Sequence, residues 1–308
     1  MVRFPSLFSF LPRIFGKKTV VSVQGLDWQR KKWSKIARYA LQLGEWASAR
    51  LPNATVVVSR TLQSYYHSRY AKDCAYVPNG TRIRERRAGH FLETIGLHPG
   101  GYALFLGRFS PEKNCDLLIE AFEKLNTPMK LVLAGGSSHT DDYVHRLRQH
   151  QSEKIKILDW ISGDALDEVL TNAALFILPS DLEGLSLALL DAMGAGVCVL
   201  ASDVPENVEA IGNAGFTFRR GDANDLQRML ALLLADSALR EDVALRAQAR
   251  IRGEYLWEGV AAAINAAYSS LFTHSVREPS VETKAAPRTA QRTTEPANSQ
   301  TAPAPFLP

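Results

Sequence analysis

The chain has 308 residues, 46% hydrophobic and 22% charged, which is ordinary globular composition with length for two domains. Its net charge of +4 conceals a split: residues 1–90 carry 17 Lys/Arg against 4 Asp/Glu, whereas residues 91–273 carry 15 against 25. Such a division predicts two units with different partners, the basic one facing something anionic. No run approaches the ~18 apolar residues of a membrane-spanning helix. The cysteines, Cys74, Cys115 and Cys198, stand singly, which argues against a disulfide framework or zinc site and suits a reducing cytoplasm.

The opening stretch, MVRFPSLFSFLPRIFGKK, is broken by Pro5 and Pro12, has its lysines after the apolar run and offers no small-residue cleavage site. It therefore reads as a piece of the fold or a surface-seeking segment rather than a secretory leader. Thr19–Val23 then reads as a buried strand and Trp28–Leu51 as one long helix carrying Trp28, Trp33 and Trp46 among many cations. Ala54–Val58 predicts a second strand, Thr61–Tyr70 a helix, and Ala75–Val77 a third strand ending in Pro78-Asn79-Gly80. Three short strands make a thin sheet, and the unit reads as one whose first half is missing. Residues 81–100 are a charged connector.

From residue 100 strands alternate with helices. Strands are expected at Tyr102–Gly107, Met129–Ala134, Ile155–Leu158, Leu175–Leu178, Val197–Ala201 and Phe216–Phe218. Helices are expected at Asp116–Leu125, Asp142–His150, Asp164–Asn172, Leu187–Met193 and Asp222–Ala235, with Ser162, Ser180 and Asp222 as helix caps. This alternation specifies βαβ units and a parallel sheet covered on both faces. Trp257–Leu271 reads as a terminal helix. The last 35 residues hold 6 of the 15 prolines and read as a disordered tail. The boundaries are thus 1–88, 89–256, 257–273 and 274–308.

Two segments carry candidate chemistry. Gly107-Arg108-Phe109-Ser110-Pro111-Glu112-Lys113-Asn114 follows a strand and opens a helix, where Arg108 and Lys113 suit a phosphate. Solvated loop cations are the plain alternative. Pro179–Met193 also runs from strand to helix, with Glu183 in the turn, Gly184 permitting close backbone approach to a ligand, and Asp191 in the helix. Carboxylates flanking such a turn suit sugar hydroxyls. Taken singly, Glu183 could merely complement the helix dipole and Asp191 occupy a polar face.

The stretches GRFSPEKN, ILDWISG and PSDLEGLSLALLDAMGAGVCVLASDVPENVEA resemble the donor-binding domain of family-4 retaining glycosyltransferases of GT-B fold. Upstream, VVSVQGLDWQRKKW, VVVSRTLQSYY and VPNGT resemble the second half of the acceptor-side domain, GLDWQR and KW being similar to bacterial rhamnosyltransferase-like enzymes of cell-surface polysaccharide synthesis. The resemblance implies an α/β protein with two Rossmann-like domains that moves a hexosyl or rhamnosyl group from a nucleotide sugar, with retention, to a glycan or lipid-linked acceptor. It implies that Arg108 and Lys113 hold the diphosphate and that Glu183 meets the donor sugar. The amides of Gly184, Leu185, Ser186 and Leu187 would hold the distal phosphate, Asp191 the ribose, and Asp159, Trp160 and Ile161 would border the base. The donor phosphate would help deprotonate the acceptor, and no metal is expected. Gln24, Asp27 and Asn79 fall on the acceptor side.

Three features depart from that pattern. Asp191 stands where the family usually has Glu, Gln24 where many relatives have a His, and the Gly-rich amino-terminal βαβ segment is absent. Gln24 cannot titrate near neutral pH, so acid–base work there would be lost. A truncated or degenerate, non-catalytic nucleotide-sugar-binding relative is the second reading, and a nucleotide-sugar epimerase a third. Nothing resembles a nucleic-acid recognition motif. The basic half and its tryptophans read as packing with a solvated face or as a surface for anionic lipid on the inner face of the cytoplasmic membrane. His67, His90, His98 and His139 read as isolated surface or structural residues.

Overall fold

A computed structural model describes residues 4–30, 33–137 and 140–273. The expected disordered tail and His139 lie outside the described residues. A short helix α1 (Phe10–Ile14) precedes a three-stranded parallel sheet in the order β1-β2-β3 (Val20–Val23, Ala54–Val57, Ala75–Tyr76). Helices α2 (Lys35–Arg50) and α3 (Arg60–Tyr70) connect these strands. After α4 (Phe91–Thr94) come β4 (Tyr102–Arg108), α5 (Cys115–Glu123), β5 (Lys130–Gly136), α6 (Asp141–Arg148), β6 (Ile155–Leu158), α7 (Gly163–Thr171) and β7 (Leu175–Leu178). The chain continues through α8 (Leu187–Gly194), β8 (Val199–Ser202), α9 (Pro205–Ile211), β9 (Phe216–Phe218), α10 (Ala223–Ala235), α11 (Ser237–Glu254) and α12 (Trp257–Thr273).

The second sheet has six parallel strands in the order β6-β5-β4-β7-β8-β9. Its four inner strands are buried nearly throughout without alternation, because helices cover both faces, whereas the edge strands β6 and β9 alternate; Tyr102, Ala103, Leu104 and Phe105 of β4 are all fully buried. Counted from β4, this is the doubly wound 3-2-1-4-5-6 order, whose direction reverses between β4 and β7. A crevice opens beyond the carboxyl ends of those two strands. They feed the Arg108–Asn114 and Pro179–Ser186 loops, the two segments singled out by their chemistry.

The expected Trp28–Leu51 helix is a short 3-10 turn, Asp27–Gln29, followed by α2, so Trp28 and Trp33 do not share a helix with Trp46. The break falls where Ser34, in extended conformation, caps α2 through Ala37 N–H. Ser180 does not cap α8; that role belongs to Ser186, whose hydroxyl accepts from Leu189 N–H. Ser162 flanks α7 without a side-chain cap bond, whereas Asp222 caps α10 through Asn224 and Asp225. Helices α9 and α11 and the short α4 were not expected. Among the histidines, His67 lies 3.0 Å from Asp73 and His90 3.3 Å from Glu93, so neither is isolated.

Helix α12 returns to the first sheet, where Val260, Ala263, Ile264 and Ala267 pack with Val56 and Val77. On the opposite side, Glu45 of α2 is buried yet fully engaged. It accepts from Trp28 Nε1 at 2.6 Å, Tyr65 Oη at 2.8 Å and Tyr70 Oη at 2.6 Å. Burial, then the hydrogen bond to this carboxylate, raises both phenols above their ordinary value. The indole bond fixes the Asp27–Gln29 turn to the interior of the first sheet's layer.

Candidate functional site

The crevice is built by loops that close on one another. Lys113, in a 3-10 turn after β4, forms an ion pair with Glu183, in the loop after β7; their side chains are only 12% and 9% exposed. The same two loops are stitched by Asn114 Nδ2 donating to Asp181 Oδ1 at 2.8 Å and to Pro179 O at 3.1 Å, and by Asp181 N–H donating to Glu112 O at 2.9 Å. Arg108, the last residue of β4, is half-buried and has no side-chain hydrogen bond or ion pair among the described residues. One cation of the expected pair is thus engaged by a carboxylate and the other is open to a ligand.

Beyond Glu183, Gly184 leads to Leu185 and the Ser186 cap, and α8 begins at Leu187, half exposed. A short cavity of about 150 Å³ lies alongside, lined by Leu106, Gly107, Trp160, Ile161, Ala188 and Asp191. Trp160 is exposed and its indole lies over Gly136, where an added Cβ would fall 2.4 Å from Nε1. Asp159 is turned toward Arg148, 2.5 Å away. An apolar slot with one carboxylate at its edge suits a flat base and a hydroxylated ribose. Asp191 is not loose there: Thr81 Oγ1 donates to its Oδ1, and Arg84 Nη2 lies 3.0 Å from the same oxygen.

The acceptor-side residues approach the same crevice. Gly184 does not chiefly leave room for a ligand, as its sequence setting suggests. An added Cβ would lie 1.7 Å from Gln24 O and 3.1 Å from Gly25 Cα, so the loop after β1 runs directly against it. Gln24 donates from Nε2 to Ser22 Oγ at 3.0 Å. Asp27 receives Arg30 Nε at 3.1 Å, and Arg30 Nη1 reaches Glu112 Oε1 at 2.8 Å. Asn79 donates from Nδ2 to Leu185 O at 3.0 Å, which places it against the loop after β7. Arg30, Glu112, Thr81 and Arg84 escaped sequence reasoning because their partners lie 82 to 110 residues away. The one usable signal was their position inside GLDWQR, PNGTRIR and GRFSPEKN.

A further link uses α9. Glu209 accepts from Arg60 N–H at 2.6 Å and Thr61 N–H at 3.0 Å, at the amino end of α3. Nearby Glu206 is half-buried; burial raises its carboxyl above the ordinary range, and the charges of Glu209 and Glu183 act the same way against its own backbone hydrogen bond. A raised carboxyl contributes stability below the unfolded carboxylate range and loses it as pH rises through the folded value. Glu206→Gln is therefore expected to melt higher than the wild type at about pH 8 and level with it at about pH 3.5. Equal differences at both pH values in scanning calorimetry would contradict this. Among the described residues no cluster of three or more His, Cys, Asp or Glu could hold a metal.

Residues 98–250 match the family model "Glycosyl transferases group 1". This region is similar to a glycosyltransferase group 1 domain. The O-antigen chain mannosyltransferase B of Escherichia coli is 30% identical over 164 residues, 51% of this chain and 43% of that protein. The chain spans about half the length of the curated relatives it matches. Among solved structures, sucrose-phosphate synthase of Thermosynechococcus elongatus has a TM-score of 0.75 at 22% identity, covering 86% of this chain and 70% of that one. Anabaena HepE in complex with UDP-glucose has a TM-score of 0.76 at 18% identity, covering 86% and 75%. These neighbours give the α/β GT-B architecture, and the matched residues 98–250 span the six-stranded sheet and its crevice.

Proposed function

We propose that the chain binds a nucleotide sugar in the β4/β7 crevice and transfers the sugar, with retention, to a cell-surface glycan or lipid-linked acceptor. The observation that carries this reading is the convergence of Lys113, Glu183, Arg108, which is unpaired among the described residues, and the start of α8 at the switch point. Arg108 and Lys113 would stabilise negative charge growing on the departing diphosphate, and preorganised cations act most strongly where water is scarce. The free N–H groups at the start of α8 add donors for phosphate. Glu183, beside Lys113, would accept from donor-sugar hydroxyls, and Asp191 from the ribose. The UDP-glucose held by Anabaena HepE supports a nucleotide-sugar donor, and the Escherichia coli O-antigen mannosyltransferase supports a surface-glycan acceptor.

Calorimetry with UDP-, GDP- and dTDP-sugars tests the donor assignment: one should bind, and Arg108→Ala should weaken it about tenfold or more. Absence of binding to all three, or binding indifferent to Arg108, removes the reading. Donor binding without hydrolysis or transfer would favour the non-catalytic alternative, which Gln24 motivates.

The basic first unit is proposed to face anionic lipid. Ile36, Tyr39, Leu43 and Trp46 form an exposed stripe on α2 beside Lys35 and Arg38, and Phe8, Ile14 and Phe15 are exposed near Arg13, Lys17 and Lys18. No described helix is long and apolar enough to cross a membrane. Flotation should show binding to vesicles containing phosphatidylglycerol that weakens with salt; equal binding to phosphatidylcholine vesicles would discard this assignment.

A further inference from the structure

The segment that leaves the first sheet grips the donor helix at several points. Asn79 holds Leu185 O. Thr81 Oγ1 and Arg84 Nη2 both meet Asp191 Oδ1, and Arg84 N–H donates to Gly194 O at 3.0 Å. This segment is itself clamped from behind. Thr81 N–H donates to Tyr255 O at 2.8 Å, Trp257 N–H donates to Thr81 O at 3.3 Å, and the Trp257 ring covers Gly80, where an added Cβ would lie 2.6 Å from it.

The contacts on Asp191 are one-sided. Both donors go to Oδ1, and Oδ2 has no hydrogen-bond or ion-pair partner among the described residues. Arg84 is only 11% exposed and stands between two acids on neighbouring helices, Asp191 of α8 and Asp167 of α7, whose Oδ1 is 3.5 Å from Nη1. An aspartate has two side-chain torsions, and one oxygen tied from the linker fixes both. Asp191 is itself part of the lining of the Trp160–Ile161 cavity, so its carboxylate is oriented there before a ligand arrives. Preorganisation of this kind raises affinity by lowering the ordering cost of binding.

We propose that Thr81 and Arg84 are positioning residues for the donor nucleotide, holding one oxygen of Asp191 so that the other meets a ribose hydroxyl. The proposal rests on the reading of Asp191 as the ribose ligand. It makes nucleoside recognition depend on Thr81 and Arg84, while recognition of the diphosphate, by Arg108, Lys113 and the start of α8, does not depend on those two side chains.

The experiment is calorimetric titration of the full chain with UDP, GDP and dTDP, and separately with inorganic pyrophosphate. The proteins are the wild type, Thr81→Val, Arg84→Ala, Arg84→Lys, Asp191→Ala and the Arg84→Ala/Asp191→Ala double variant. Arg84→Ala should weaken the bound nucleoside diphosphate about tenfold, the scale of coupling between residues in direct contact. Pyrophosphate, which lacks a ribose, should bind as to the wild type. Thr81→Val should lose less than Arg84→Ala, Arg84→Lys should recover part of the loss, and the double variant should bind no more weakly than Asp191→Ala alone. Equal losses for nucleotide and pyrophosphate would mean that Arg84 merely supports the helix, and additive losses in the double variant would mean that it does not act through Asp191; either overturns the proposal. A wild type that binds pyrophosphate but no nucleoside diphosphate removes the donor reading and this inference together. A wild type that binds a nucleoside diphosphate indifferent to Arg84 removes this inference alone.

Discussion

Replacing Lys113 by alanine is expected to reduce turnover about 10²- to 10³-fold, the scale of removing one preorganised electrostatic donor from a reacting centre. The same change should also lower stability, and the two effects have different origins. Lys113 and Glu183 are each about nine-tenths buried and paired with one another. Taking away the cation strands the carboxylate in a site that no longer compensates it, a loss of about 3–5 kcal/mol. Glu183 holds the ammonium that a donor diphosphate would use, so donor binding must share or displace that contact. The Lys113→Met/Glu183→Gln double variant separates the two effects. It removes both charges, should recover most of the melting temperature lost in Lys113→Ala, and should remain at least as slow as Lys113→Ala. Thermal melts and donor-hydrolysis rates on the three proteins check this. Recovery of activity along with stability would show that Lys113 matters only as the partner of Glu183.

The six-stranded half was legible in the sequence because its physics is local. Each buried parallel strand is a short apolar run, each crossover helix has an apolar face, and the order of strands places the β4 and β7 loops at the crevice. Helix α11 escaped because its buried residues, Val243, Ala247 and Ile251, form a stripe only one residue wide on an otherwise charged surface. The first unit was less legible. Lys, Arg and Trp in Trp28–Leu51 have adequate helix propensity throughout, and the break depends on Ser34 capping and on Trp28 reaching Glu45, a contact across 17 residues. What the sequence could not show at all is that a carboxylate or a glycine assigned to a ligand is also held by the protein. The family resemblance assigns Asp191 to the ribose, yet its Oδ1 is occupied by Thr81 and Arg84. Glycine in a strand-to-helix turn signals close approach, but not whether a phosphate or another loop makes it.

Gly184→Ala tests that distinction and should have the second largest effect. The new Cβ would sit 1.7 Å from Gln24 O and 2.7 Å from Gln24 C. Both are backbone atoms, so no rotamer change relieves the clash and one loop must move. Overpacking of this kind costs about 1–3 kcal/mol. The loop after β1 is held at its far side by Trp28 on Glu45, so it cannot retreat freely. Displacing it should also lengthen the Arg30–Glu112 contact, now 2.8 Å, which joins that loop to the turn carrying Lys113. Melting temperature is expected to fall, and turnover to fall at least about tenfold, because a displacement of about 1 Å in a positioned pair costs up to about 10²-fold. Donor affinity should change much less, since Arg108, Lys113 and the start of α8 remain in place. Gly253→Ala provides the contrast. Nothing lies within 4 Å of its added Cβ, on the last turn of α11, and removing a helical glycine there should leave activity unchanged and raise stability by up to about 1 kcal/mol. If Gly184→Ala instead abolished donor binding while hydrogen exchange over residues 24–30 stayed as in the wild type, the glycine would be serving the ligand and not the meeting of the two loops.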